Sequence, residues 1–193
     1  MKKLLGIIVL SLCFITPSQA DDIRDFQIEG LNIGDSLLDH YNITEINEGL
    51  KRLKSTYTSN KYIRNEFKIK GKSIYDQIRV HYRNDGTYEI AELAGIILYR
   101  NNIDECYVKK NEIAKDVAAL FPSAKEEKQR YKYLNDRKSI FDRIVFKLNS
   151  GDVNVLCRDW SKKIEKENRW VDNLSVSIRS VEYVNWLINE AYK

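Results

Sequence analysis

Gln77-Ile78-Arg79-Val80-His81-Tyr82-Arg83, followed by Asn84-Asp85-Gly86, decides how the rest of the chain is read. Ile78, Val80 and Tyr82 alternate with Gln77, Arg79, His81 and Arg83, the period-two pattern of a strand with one apolar and one polar face. Asp-Gly tolerates positive φ, so Asn84–Gly86 forms a hairpin turn. The return strand runs from Thr87 to about Tyr99, and Gly95 within it predicts a bulge or bend. The pattern recurs downstream. Ile144, Phe146 and Leu148 alternate, Asn149-Ser150-Gly151-Asp152 turns, and Val153, Val155 and Cys157 return. Leu174, Val176 and Ile178 alternate with Ser175, Ser177 and Arg179 as a last strand, and Phe26-Gln27-Ile28-Glu29, broken by Gly30, predicts a short first one. Clean alternation implies a sheet with one solvated face, hence antiparallel pairing.

Helical patterns lie between these strands. Leu37, Leu38 and Tyr41 share one side of a short helix after Gly34-Asp35-Ser36. Thr44 is placed to cap a second, with Ile46, Leu50 and Leu53 at i, i+4 and i+7. Asn102 caps a longer helix whose first turn holds Asp104 and Glu105, where negative charge suits the dipole. Cys106, Ile113, Val117, Leu120 and Phe121 form its apolar face, and Pro122 ends it. Tyr183, Val184, Leu187, Ile188 and Ala191 form an amphipathic terminal helix. The stretch 55–72, with Tyr57, Tyr62, Ile63 and Phe67, predicts an irregular strand. The stretch 124–138 is charged nearly all round and reads as a solvated helix, opened by a Ser123/Glu126 capping box, or as a loop. The stretch 161–168 reads as a polar connection. The expected fold class is α+β: an antiparallel sheet of about five to six strands with helices packed on one face. Both halves share the order of paired strands followed by a helix.

The first twenty residues have a different logic. Lys2 and Lys3 precede an apolar run from Leu4 to Ile15, and Pro17-Ser18-Gln19-Ala20 offers small residues for cleavage after Ala20. This is the pattern of a signal peptide over 1–20, too short to span a bilayer, leaving a single domain over 21–193. The expected location is periplasmic or secreted. Leu12 stands before Cys13 where a lipidation signal has a small residue. Removing Lys2 and Lys3 and no acids lowers the net charge from +4 to +2, which is too mild for a nucleic-acid partner. No later run is apolar enough for a membrane helix. Cys106 and Cys157 remain. In an exported domain an even pair reads as one disulfide. Cys157 has the inward parity of Val153 and Val155, and Cys106 lies on the core face of the long helix, so the bond clamps helix to sheet. The alternative is two free buried thiols.

The segment Phe26-Gln27-Ile28-Glu29-Gly30-Leu31-Asn32-Ile33-Gly34-Asp35-Ser36-Leu37-Leu38-Asp39 resembles the opening of a family of uncharacterised small exported bacterial proteins, as do Gly95-Ile96-Ile97-Leu98-Tyr99 leading into Cys106 and the stretch from Tyr183 to Trp186. That likeness carries no activity. Ile33-Gly34-Asp35-Ser36-Leu37-Leu38 is also similar to the helix opening of the β-lactamase-inhibitor and outer-membrane-assembly lipoprotein fold.

The chemistry legible in the residues is sparse. There is no Gly-x-Ser-x-Gly elbow and no phosphate loop, and no cofactor is implied. His40 and His81 lack the spacing of a zinc site, so no metal is expected. Asp21, Asp22, Asp35, Asp39, Asp142 and Asp159 form no spaced catalytic pair. One surface is distinctive. If the apolar residues of each strand face the helices, the other face carries Arg79, His81, Arg143, Lys147, Arg158 and Arg179, joined by Glu89, Asp152 and Asn154. Arginine forks match carboxylates and phosphates geometrically. This face is the candidate platform for an acidic protein or an anionic envelope component. Trp160, Trp170 and Trp186 are expected in the core or at its edge, and Tyr131 and Tyr133 at the surface.

The leading expectation is an exported, non-catalytic binding or interaction module of the bacterial envelope, with a flat binding surface and no deep polar pocket. The rival is a small secreted hydrolase using carboxylates or His81, which requires a cleft with convergent titratable groups and a strongly shifted pKa. A third reading, an envelope structural protein, requires a large exposed apolar patch.

Overall fold

The alternation opened by Ile78, Val80 and Tyr82 does build a strand, one of seven. The computed structural model describes residues 22–50, 57–69, 72–100 and 102–193. The leader over 1–20 and Leu53 lie outside the described residues. The strands are β1 (Tyr62–Lys68), β2 (Gln77–Arg83), β3 (Ile90–Leu98), β4 (Lys125–Tyr133), β5 (Asp136–Leu148), β6 (Gly151–Asp159) and β7 (Asn173–Ser180). They form one sheet, every pair antiparallel, in the order β1-β2-β3-β7-β6-β5-β4. Two three-stranded meanders are therefore joined by β7, which enters last and pairs with both. The helices are α1 (Ile43–Leu50), α2 (Ile103–Leu120), α3 (Lys162–Asn168) and α4 (Val181–Asn189). The class is α+β as expected, with seven strands rather than five to six.

One face of the sheet holds two apolar clusters. Ile78, Val80, Tyr82, Leu93 and Ile178 meet Ile46 of α1 and the N-terminal segment through Ile23, Ile28, Leu31 and Leu37. Ile144, Phe146, Val153, Val155 and Val176 meet Val117 and Phe121 of α2. Cys106 of α2 and Cys157 of β6 are bonded across this second cluster, Cα atoms 6.1 Å apart and both cysteines fully buried. The opposite face is not bare. Helix α4 lies over it, and Tyr183 and Trp186 pack with Tyr62, Ala91 and Ala191. The expectation of helices on a single face is corrected here: Tyr183 and Trp186 are too apolar to leave in water, and β1–β3 supply the surface that buries them.

Other local readings change for identifiable reasons. Phe26–Glu29 is not a strand. Glu29 (φ 54°) and Gly30 (φ 78°) reverse the chain so that Ile28 bridges Leu31, four residues within one turn, and the segment plugs the core instead of joining the sheet. Helix α1 is capped by Asn42, not Thr44. The Asn42 side chain accepts from the Glu45 amide at 3.0 Å, and Glu45 accepts from the Asn42 amide at 3.1 Å, a reciprocal capping box. The charged stretch 124–138 is neither helix nor loop but the β4–β5 hairpin. As an edge strand, β4 needs no apolar face. Its charges are matched across the ladder, Glu127 to Lys147 at 3.0 Å and Arg130 to Asp142 at 2.9 Å. The stretch 161–168 is helical, with Ser161 accepting from the Ile164 amide. The bulge is not at Gly95. It lies where His81 pairs with Glu92 and Tyr82 with Ile90, leaving Ala91 as the extra residue. Gly95 is there for close approach: a Cβ at this position would lie 2.4 Å from the Tyr75 ring.

Candidate functional site

Strand parity puts one row of polar side chains on the face opposite α2. Reading across the ladder, Arg64 pairs with His81, His81 with Glu92, Glu92 with Arg179, and Arg179 with Asp152. The bulge at Ala91 is what brings Glu92 into this row, because it places two successive β3 residues on the same face. Arg79, Asn154, Ser177 and Arg158 occupy the neighbouring rows. With α4 and Tyr57 on one side and Tyr131 and Phe141 of the β4–β5 hairpin on the other, these residues form the floor of a half-open recess of about 380 Å³. The expected flat platform is thus a trench.

The floor is an ordered charge network with one unbalanced member. Glu92, 4% exposed, meets Arg79 Nη2 at 3.4 Å and His81 Nδ1 at 2.5 Å. Burial alone would raise its pKa, but Arg79 and His81 hold the carboxyl down at about 2. Burial lowers His81, against the pull of Glu92. The neutral ring that results donates from Nδ1 to Glu92 and accepts at Nε2 from the Tyr57 hydroxyl, 3.2 Å away. Arg179 grips Asp152 with two bonds, 2.6 and 2.7 Å. Arg143 takes the amide oxygen of Gln129, 2.9 Å from Nε, and lies over the Tyr131 ring. Arg158 donates to the amide oxygen of Asn173, at 2.9 Å, and its guanidinium stands near the Phe141 ring. No carboxylate pairs with Arg158 among the described residues. Burial and the neighbouring Arg79 pull its pKa down to about 9. Further polar capacity is unspent: Arg64 Nε, Arg79 Nε and Asn154 Oδ1 are buried without a hydrogen-bond partner.

Of the six residues expected on this face, Arg79, His81, Arg143, Arg158 and Arg179 line the recess together. Lys147 shares the face but not the recess; it is exposed and paired to Glu127 at the hairpin edge. His40 lies apart, bonded to Asp35 at 3.3 Å, so the two histidines do not meet. Among the described residues no group of His, Cys, Asp or Glu has the arrangement of a metal site, and no helix is long and apolar enough to cross a membrane. Recess residues that the sequence reading did not place there include Tyr57, Arg64, Glu92 and Tyr183. Glu92 carried a usable signal, a lone acid in the otherwise apolar run Ile90–Leu98.

Comparison with protein-family models, with curated proteins and with solved structures finds no match to this chain.

Proposed function

We propose that this protein is an exported binding module that captures an anionic group in the arginine-lined trench. The single observation that carries this reading is Arg158, a half-buried guanidinium on the trench floor with no carboxylate beside it. Burying a charge is unfavourable unless it is paired. Arg79 and Arg179 satisfy that rule with Glu92 and Asp152, and Arg158 does not. A ligand oxyanion supplies the missing partner, bidentate to the guanidinium, in a recess whose wall also carries Arg64 and Arg79. Export is supported by the leader pattern of Lys2–Ala20 and by the Cys106–Cys157 bond, which suits an oxidising compartment.

The test is calorimetric titration of the purified, disulfide-intact protein with phosphate, sulfate and triglutamate, against Arg158→Gln. Saturable binding that the substitution abolishes is the expected outcome. Equal binding by both proteins, or none by either, refutes the assignment.

The Glu92–His81–Tyr57 chain favours a second reading, a hydrolase with His81 as general base. It meets the stated requirement of convergent groups and a shifted pKa. Its geometry argues for the first reading nonetheless: His81 is 3% exposed and both ring nitrogens are already engaged, so the chain braces the floor from beneath. Turnover of an ester or phosphoester substrate that disappears in His81→Gln would reverse this order.

A further inference from the structure

The trench does not end at the first recess. Arg64, Arg79 and Arg158 also border a second, half-open hollow of about 610 Å³, which Arg100, Trp160 and Trp170 line as well, so the two are neighbours that share three arginines. Together their walls hold seven arginines, no lysine, and only two carboxylates, Glu66 and Glu92. Both carboxylates are bonded to trench arginines, Glu66 to Arg64 and Glu92 to Arg79.

The second hollow has a feature the first lacks. Trp170 is 41% exposed, yet it is held in place. Its ring lies against Trp160, centroids 4.6 Å apart, and Tyr133 stands edge-on at 6.5 Å. The backbone that follows it is tied down. The Trp160 amide donates to the Asp172 carboxylate at 2.7 Å, the Tyr99 amide donates to the Asp172 carbonyl at 2.7 Å, and Asn173 Nδ2 donates to the Val171 carbonyl at 2.8 Å. A large ring that packs on a second tryptophan yet stays 41% exposed, next to a cationic hollow, is an anchor surface rather than a core residue.

Resting on the anion-capture reading, we propose that the occupant is an acidic saccharide: a sugar ring seated on the Trp170 shelf, with its carboxylate or phosphate held by Arg158 and Arg79. The apolar C–H face of a pyranose suits an indole face, and the amide of Gln77, which borders the same hollow, suits a sugar hydroxyl. A peptide of acidic residues alone, such as triglutamate, has no ring for the shelf.

The experiment titrates the purified protein with digalacturonate, its neutral counterpart galactobiose, glucose 1-phosphate, AMP, triglutamate and inorganic phosphate, read by calorimetry and tryptophan fluorescence. The expected result is tighter binding of an acidic sugar than of phosphate or galactobiose, with a change in tryptophan emission. Which acidic sugar prevails identifies carboxylate or phosphate as the anion. Trp170→Ala should weaken the acidic sugar about tenfold and leave phosphate unchanged, and Trp170→Phe should restore most of the loss. Unaltered near-ultraviolet dichroism at the disulfide and tyrosines confirms the fold of each variant. If acidic sugars bind no better than phosphate and Trp170→Ala changes nothing, the shelf is refuted while anion capture stands. Preference for AMP or triglutamate, sensitive to Trp170, refutes the saccharide in favour of that class. Silence with every anion refutes both readings.

Discussion

Glu92 is ionised inside the protein because of what surrounds it. Arg79 and His81 touch it, and Arg179 faces it across the ladder. A free glutamate titrates near 4.3; in the fold this one titrates near 2. The unfolded chain therefore binds the proton first as pH falls, and the stability that Glu92 contributes is complete above about pH 4.5 and drains away towards pH 2. The displacement corresponds to on the order of 3 kcal/mol. His81 acts in the same direction at higher pH. Burial lowers its pKa below the free value of about 6.5, so its contribution is present above that pH and declines below it. Urea unfolding between pH 7 and pH 3 should show a stability loss that begins near pH 6 and steepens below pH 4.5. In His81→Gln the upper part of the loss should vanish. A flat profile over this range would mean that the network is not formed as described.

At the level of elements, the bond between Cys106 and Cys157 does the work of a clip between α2 and β6. Its two ends are 51 residues apart, and closing a loop of that size restricts the unfolded chain by roughly 4 kcal/mol in the chain-entropy account. Reduction, or the double substitution Cys106→Ala/Cys157→Ala, should lower unfolding stability by about that amount, read from chemical denaturation; a change below about 1 kcal/mol would show that α2 is held by packing alone. Gly95 makes a second test. Gly95→Ala would drive its Cβ into the Tyr75 ring and should cost about 1–3 kcal/mol by the same assay. These elements differ in how openly the sequence declares them. The β2–β3 and β5–β6 hairpins, α2 and the disulfide were legible because period, turn chemistry and caps agree. The β4 strand was not. Its residues read as a solvated helix or a loop, since an edge strand can be charged on both faces, and the start of its partner β5, from Asp136, lay in the same charged stretch. Helix α4 was legible as a helix, but which face of the sheet it covers depends on Tyr62 and Ala91, far away in sequence. The site followed the same rule. Strand parity alone exposes Arg79, His81, Arg143, Arg158 and Arg179. Glu92 required the bulge at Ala91, and Tyr57 required the approach of a segment with no periodicity of its own.

For the molecule as a whole, the charge is nearly balanced, yet the balance is not uniform. The chain has 32 basic and 28 acidic side chains; among the described residues charges are paired along β4–β5 and at the β2–β3 hairpin, while the trench concentrates arginine. That asymmetry puts stability and function in opposition at one residue. Arg158 is ordinarily charged to well above pH 12, and in the fold it falls to about 9. At neutral pH the folded state therefore carries an unmatched guanidinium that the unfolded state hydrates freely. Arg158→Gln removes that liability and keeps an amide able to meet Asn173. The empty variant should be more stable than the natural protein by about 1 kcal/mol, the gain common to substitutions that relieve a functional strain. Ligand reverses the order. An anion at a hundred times its dissociation constant stabilises the form that binds it by about 2.7 kcal/mol, so phosphate or an acidic sugar should raise the melting temperature of the natural protein and leave that of Arg158→Gln unmoved. Thermal melts of both proteins with and without the anion give the crossing directly. Two parallel responses, or a variant less stable than its parent in the absence of anion, would mean that Arg158 is a structural residue whose partner is already in the fold.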